Sequence, residues 1–146
     1  MHMLNNLVLG TLFISLTVLL HTVGLVALTR TMNGVVHWFR LHRHDFGKSV
    51  AMVTTVLGLF LLHTVEIWIW AGPFFASKAV VPFQDALYYS TVTFSTVGYG
   101  DVIIDPRWRL LASLEAINGF ILIGWSTAYL VSASTRHGPF RLGEHF

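Results

Sequence analysis

One six-residue segment has residue types in an order that suits cation coordination: Thr96-Val97-Gly98-Tyr99-Gly100-Asp101. Because glycine has no Cβ, Gly98 and Gly100 can adopt positive φ at little cost, which lets successive backbone carbonyls turn toward one axis. The side chains of Val97 and Tyr99 would then point away from that axis and brace the strand. The Thr96 hydroxyl could add one more oxygen at the inner end. The segment therefore predicts a row of hard oxygen ligands for a dehydrated cation.

A short helix is predicted immediately before this segment. Pro82 suits the first position of a helix, and Gln84 and Asp85 lie in a first turn that the helix dipole favours. The predicted helix, residues 83–95, would be about 20 Å long, too short to cross about 30 Å of hydrocarbon. The chain is therefore expected to dip into the bilayer and return, which is tolerated only inside protein or along a water-filled path.

Composition places these elements in a membrane. Of the 146 residues, 54% are hydrophobic and 11% are charged, whereas about a quarter are charged in soluble domains. Three apolar stretches match the roughly 20 residues that a spanning helix needs: 7–28, 49–71 and 110–133. We therefore expect an all-α membrane protein with three transmembrane helices and a re-entrant helix and loop between the second and third. Gly72 and Pro73 are expected to end the second helix.

Basic residues indicate the orientation of the chain. Six of the nine Lys and Arg residues lie in residues 29–48 or after residue 133, and three lie between the second and third spans. The positive-inside rule then places the N-terminus outside and the C-terminus in the cytoplasm, in a plasma or inner membrane. This topological reason for the basic residues argues against nucleic acid as a partner. The first apolar run has no basic residue before it, so we expect a retained helix rather than a signal peptide.

Residues 93–101 resemble the selectivity filter of potassium channels. They match the Thr-x-x-Thr-x-Gly-Tyr-Gly-Asp pattern of that pore-domain family, and the resemblance covers residues 82–133. It implies a potassium-selective channel subunit that conducts K+ passively. The K+ ligands that it implies are Thr96, Val97, Gly98, Tyr99 and Gly100. Since the chain has one filter segment, the resemblance also implies a homotetramer in the lipid bilayer, with K+ as the transported ion and no organic cofactor.

The resemblance implies supporting roles around the filter as well. Tyr88 and Tyr89 stand where many members have a tryptophan pair, and they are expected to hold Tyr99. Val92 occupies a position where some members have a buried glutamate. Gly119 and Gly124 lie near the family's inner-helix hinge, although they could equally serve close helix packing. The remaining candidates for filter support are Thr93, Asp101, Glu66 and Glu115.

Glu66 and Glu115 are the acidic residues within the predicted spans. A charged group at such depth costs at least about 2.5 kcal/mol, so each is expected to face protein or water. The rise per residue places both at the level of the short helix. We expect one of them, Glu115 in preference, to hydrogen-bond that helix or the filter from behind. The alternative is that Glu66 pairs with His63 one turn away and that Glu115 serves assembly alone.

The predicted organisation has three parts: an N-terminal helix with a basic loop (1–47), a pore domain (48–135) and a cytoplasmic tail (136–146). The pore domain comprises an outer helix (49–71), the pore helix (83–95), the filter (96–101) and an inner helix (110–133). The histidines of residues 37–44 could sense cytoplasmic pH. His42 and His44 are a weaker candidate for a metal site.

Other function classes have less support. No catalytic motif accompanies His63 and Glu66, so an enzyme is not expected. A haem held by His21 and His63 would need both rings at one level, but counting from the external ends of the spans places them about 21 Å and about 12 Å deep. A non-selective cation channel and a regulatory subunit of another channel remain as alternatives.

Overall fold

The structure, a computed structural model, describes residues 2–38 and 45–137. These residues form four α-helices and one short 3-10 helix, Pro106–Trp108, and they contain no β-strand. The helices are α1 (His2–Trp38), α2 (Asp45–Ala76), α3 (Phe83–Phe94) and α4 (Arg109–His137). Three stretches are long and apolar enough to cross a membrane: Met3–Met32, Gly47–Ala76 and Pro106–Thr135. The prediction of an all-α protein with three transmembrane helices is confirmed.

The helix α3 lies between the second and third spans, where the short helix was expected. Its 12 residues correspond to about 18 Å, which is too short to cross a bilayer. Pro82 is the N-cap residue, with extended backbone, rather than the first helical residue, and Ser95 is the C-cap. Re-entry of α3 into the bilayer stays a prediction. His42, His44 and the tail after residue 137 lie outside the described residues.

The predicted end of the second helix is wrong. Pro73 lies inside α2, which continues to Ala76. A proline removes one backbone donor, and spanning helices tolerate this loss where neighbouring groups compensate for it. The helix ends instead in a Schellman motif with Lys78 in the left-handed region at φ 55°. The Lys78 N–H donates to the Phe75 carbonyl, and the Ala79 N–H donates to the Phe74 carbonyl.

The chain divides into two compact units. One consists of Met1–His21 and His63–Ile123, and the other of Thr22–Leu62 and Gly124–Phe146. The first unit contains α3, the segment 96–101 and the larger apolar core, whose bulkiest fully buried members are Trp70, Phe74, Phe94, Leu111 and Leu122. In the second unit Met32 and Ala51 pack with Leu28. The predicted division of the chain at residue 47 stays a prediction.

Within the first unit, buried polar contacts hold α1 against the later part of the chain. Asn6 Nδ2 donates to the Arg107 carbonyl at 2.6 Å, and Asn118 Nδ2 donates to the Thr17 hydroxyl at 2.9 Å. Asn6, Thr17 and Asn118 are all buried. Polar side chains inside a membrane protein are satisfied between helices rather than toward lipid. The N-terminal part of α1, up to His21, therefore belongs to the unit that contains residues 96–101.

Candidate cation site

The backbone of residues 96–101 alternates in handedness. The angle φ is positive at Thr96 (61°), Gly98 (51°) and Gly100 (75°), and it is not positive at Val97 or Tyr99. Positive φ at the two glycines agrees with the sequence prediction. Positive φ at Thr96 was not predicted, because residues other than glycine rarely adopt it. The alternation of the two glycines, extended back by two residues from Gly98, could have predicted the positive φ at Thr96.

Two backbone hydrogen bonds tie this segment to the end of α3. The Thr96 N–H donates to the Thr93 carbonyl at 3.0 Å, and the Gly98 N–H donates to the Val92 carbonyl at 2.9 Å. The C-terminal end of a helix carries about half a negative charge. The segment thus begins at the electronegative end of α3, where a cation is favoured.

The far end of the segment is held by a side-chain contact. The Tyr88 hydroxyl donates a hydrogen bond to Asp101 Oδ2 at 2.7 Å. This bond lowers the pKa of the Asp101 carboxyl and raises the pKa of the Tyr88 hydroxyl. Two members of the predicted support group are therefore brought together, and they join the first half of α3 to the residue after Gly100.

Tyr89 has different surroundings from Tyr88. It is buried and packs edge-on against Phe74, with ring centroids 5.4 Å apart. Neither this contact nor the Tyr88 hydrogen bond involves Tyr99, which is 73% exposed in the single chain. The aromatic cuff around Tyr99 stays a prediction, and the contact of Tyr89 stabilises α3 against α2.

Comparison with known proteins identifies the family. A family model described as "Ion channel" matches residues 61–136, just over half of the chain. This chain belongs to the ion channel family. The match includes α3, residues 96–101 and most of α4, and it confirms the predicted relationship to channel pore domains. The family is one of channels rather than enzymes.

A curated relative supports the same relationship for this channel. Over 105 residues, this channel is 27% identical to the inward rectifier potassium channel Kirbac3.1 of Paramagnetospirillum magnetotacticum. That alignment covers 68% of this channel and 36% of the relative, so the channel spans about a third of the length of the relative. No solved structure matches.

Gly119 of the channel is a point of close approach between α4 and the end of α3. A Cβ added at Gly119 would lie 2.0 Å from the Phe94 carbonyl oxygen, whereas a Cβ at Gly124 would meet nothing within 4 Å. Both glycines lie inside the continuous helix α4. The contact gives Gly119 a packing role, which was one of the two predicted readings. A hinge role for either glycine stays a prediction.

Glu115 lies behind α3, where the sequence placed it. It is fully buried, and the Ser90 hydroxyl of α3 donates a hydrogen bond to Glu115 Oε1. The same hydroxyl lies 2.9 Å from the carbonyl oxygen of Ile67 in α2. Among the described residues, Glu115 Oε2 has no hydrogen-bond partner. Ser90 therefore joins α3 to both neighbouring helices, and Glu115 contacts the pore helix as predicted.

Glu66 has different partners from Glu115: two histidines, one on α1 and one on α2. Its two oxygens lie 2.8 Å from His63 Nδ1 and 2.8 Å from His21 Nδ1. The pairing with His63 was one of the predicted alternatives, but the contact with His21 was missed. The prediction that the two histidines lie at different levels is wrong, because their ring centroids are 5.5 Å apart. The count failed because the observed helices extend beyond the predicted spans: α1 begins at His2 and α2 ends at Ala76.

Proposed function

We propose that this channel is potassium-selective and conducts K+ passively through a homotetrameric pore. The observation that carries the proposal is the positive φ at every second residue, Thr96, Gly98 and Gly100, within a sequence of the potassium-filter type. Alternating handedness turns successive carbonyls to the same side of the strand. A row of such carbonyls can replace the hydration shell of a K+ ion.

The K+ ligands in this proposal are backbone oxygens. The carbonyls of Thr96, Val97, Gly98 and Tyr99 would form the sites, with the Thr96 hydroxyl at the inner end. Gly100 supplies the last positive φ. K+ is the transported ion, and the proposal requires no organic cofactor.

One chain supplies one strand, which cannot surround an ion. Val97 and Tyr99 are 53% and 73% exposed in the single chain, so the described residues leave much of the outer side of the strand uncovered. A ring of identical subunits provides both the missing ligands and the missing wall. Four-fold symmetry is the arrangement that the filter sequence favours.

Several contacts would hold the filter in its conducting shape. The Tyr88 to Asp101 hydrogen bond fixes the outer end of the filter, and the Ser90 to Glu115 hydrogen bond fixes α3 from behind. Thr93 contributes through the Thr96 N–H at the inner end. Glu66 supports the filter less directly, through His63, whose ring lies 5.9 Å from that of Phe94.

The distribution of basic residues supports an orientation in the membrane. With the basic segment 29–48 in the cytoplasm, the N-terminus is external, the C-terminus is cytoplasmic and α3 enters from the external side. The helix α3 then points its negative end toward the membrane interior, where an entering cation gains from it. The membrane is the plasma or inner membrane of the cell.

Reconstitution tests the proposal. The purified chain should cross-link in mild detergent as a ladder ending at four, and its liposomes should take up K+ far faster than Na+ and be blocked by Ba2+. Equal uptake of Na+ would identify a non-selective cation channel. A ladder ending at four without any ion uptake would identify a regulatory subunit. Either result would contradict the proposal.

A further inference from the structure

Three ionisable side chains converge inside the first unit. His63 and Glu66 stand one turn apart on α2, and His21 faces them from α1. His21 and Glu66 are 0% exposed, and His63 is 17% exposed. The donor atoms of the three residues all lie within 4.8 Å of one another. All three lie within the candidate membrane spans.

Three ionisable side chains within membrane spans require a physical explanation. A buried carboxylate is costly unless a cation or hydrogen-bond donors compensate for it. One protonated histidine would be enough to neutralise Glu66. The second histidine is redundant for that purpose, yet both rings direct Nδ1 to the same carboxylate at 2.8 Å.

We propose that His21, His63 and Glu66 bind one divalent transition-metal ion of the Zn2+ class. Two imidazole nitrogens and one carboxylate oxygen are a common ligand set for Zn2+, and the ion keeps a further position for water. Bonds of about 2.0–2.1 Å would place donor atoms about 3 to 4 Å apart, which small side-chain movements from the observed arrangement achieve. The three ligands come from two helices, so the bound ion would link α1 to α2.

The ligand chemistry excludes other common ions. Ca2+ and Mg2+ require several oxygen ligands, and this cluster offers one carboxylate and two nitrogens. Imidazole with a single carboxylate instead suits Zn2+, Co2+, Ni2+ and Cu2+. When a neutral ring binds metal through Nδ1, its proton moves to Nε2, so binding requires no other reactant.

The position of His63 links this site to the pore. Its ring is 5.9 Å from the ring of Phe94, the last residue of α3, and 5.5 Å from the ring of His21. Phe94 is fully buried, so a displaced His63 ring must move against a packed neighbour. Metal binding is therefore expected to change the conduction of the channel as well as the stability of α1.

The experiment measures metal binding directly and does not depend on conduction. The full chain, purified without a histidine tag in detergent micelles, is titrated with ZnCl2 in a calorimeter and with CoCl2 in a visible spectrophotometer. The variants are His21→Gln, His63→Gln and Glu66→Gln. The matched control is His42→Gln with His44→Gln, which removes the other predicted metal ligands. Elution volume on gel filtration shows which variants remain assembled.

We expect one Zn2+ per chain and d–d absorption from ordered Co2+ in the unsubstituted protein and in the control. Each assembled variant of the three ligands should bind at least about tenfold more weakly. Binding that is unchanged in His63→Gln would overturn the proposal. Absence of Zn2+ binding in the unsubstituted protein would also overturn it and would leave the cluster as a proton-sharing triad. Neither outcome affects the proposal of potassium conduction.

Discussion

At the scale of single residues, we expect the proposed filter to depend on the hydrogen bond between Tyr88 and Asp101. The bond lowers the pKa of the Asp101 carboxyl, so its contribution is complete above the ordinary pKa of the group and is lost as pH falls through the lowered value. Tyr88→Phe removes the donor and lets this pKa rise toward its ordinary range. We expect the acid midpoint of K+ uptake to move to higher pH.

The matched control is Tyr89→Phe, because that ring packs on Phe74 and its hydroxyl does not reach Asp101 in the structure. Uptake is measured in liposomes across a series of external pH values. Identical acid midpoints for Tyr88→Phe and the unsubstituted protein would contradict a role for this bond.

Ser90 is the second residue whose contacts set the position of α3. Its hydroxyl is the buried group between Glu115 and the Ile67 carbonyl. The hydroxyl has one proton to donate, so Ser90→Ala removes one buried hydrogen bond and leaves a buried acceptor unpaired, which costs about 1–3 kcal/mol. If the cost falls mainly on the conducting state, single-channel recordings should show open probability reduced about fivefold or more, in channels that still assemble as tetramers.

Ser113→Ala is the control for Ser90→Ala. The Ser113 hydroxyl is exposed and bonds only within α4, to the Arg109 carbonyl, in the contacts that the structure gives it. If both alanine variants have the same open probability as the unsubstituted channel, Glu115 and Ser90 serve assembly alone.

At the scale of elements, α3 and α4 meet at Gly119. An added Cβ at Gly119 would lie 2.0 Å from a backbone oxygen, which cannot rotate away as a side chain could. We expect Gly119→Ala to lower stability by about 1–3 kcal/mol through overpacking. Gly124→Ala adds the same methyl group in open space and should be neutral or slightly stabilising, since alanine favours helix over glycine by about 1 kcal/mol.

Thermal unfolding in detergent measures both variants. Equal midpoints for Gly119→Ala and Gly124→Ala would show that the close approach is not important for the fold. A reduced midpoint for Gly119→Ala with normal gating would favour the packing role over a hinge.

The elements also show what the sequence could predict. The length of an apolar run distinguishes a helix that crosses the membrane from one that is too short to do so, so the three membrane helices and α3 were predictable. Glycines, in turn, identify positions where φ can be positive. Contacts between helices were harder to predict from the sequence. Counting from the predicted span ends placed His21 and His63 at different levels, so the contact between His21 and Glu66 was missed. The left-handed conformation of Lys78 at the end of α2 could not be predicted from its residue type, since glycine usually occupies that position.

At the scale of the whole molecule, the account requires that identical subunits close a ring around the filter strand. Two observations on one chain point to that ring: the alternating backbone at residues 96–100 and the exposed side chain of Tyr99. The N-terminal part of α1, up to His21, belongs to the same compact unit as residues 96–101. Its contacts through Asn6, Thr17 and His21 make it a structural part of each subunit rather than an appended anchor.

The reversal potential of reconstituted channels tests potassium selectivity most directly. It is measured in planar bilayers with KCl on one side and an equal concentration of NaCl on the other. We predict a large reversal potential of the sign set by K+, and its collapse in Gly98→Ala, where a Cβ opposes φ of 51°. A reversal potential near zero in the unsubstituted channel would contradict the account.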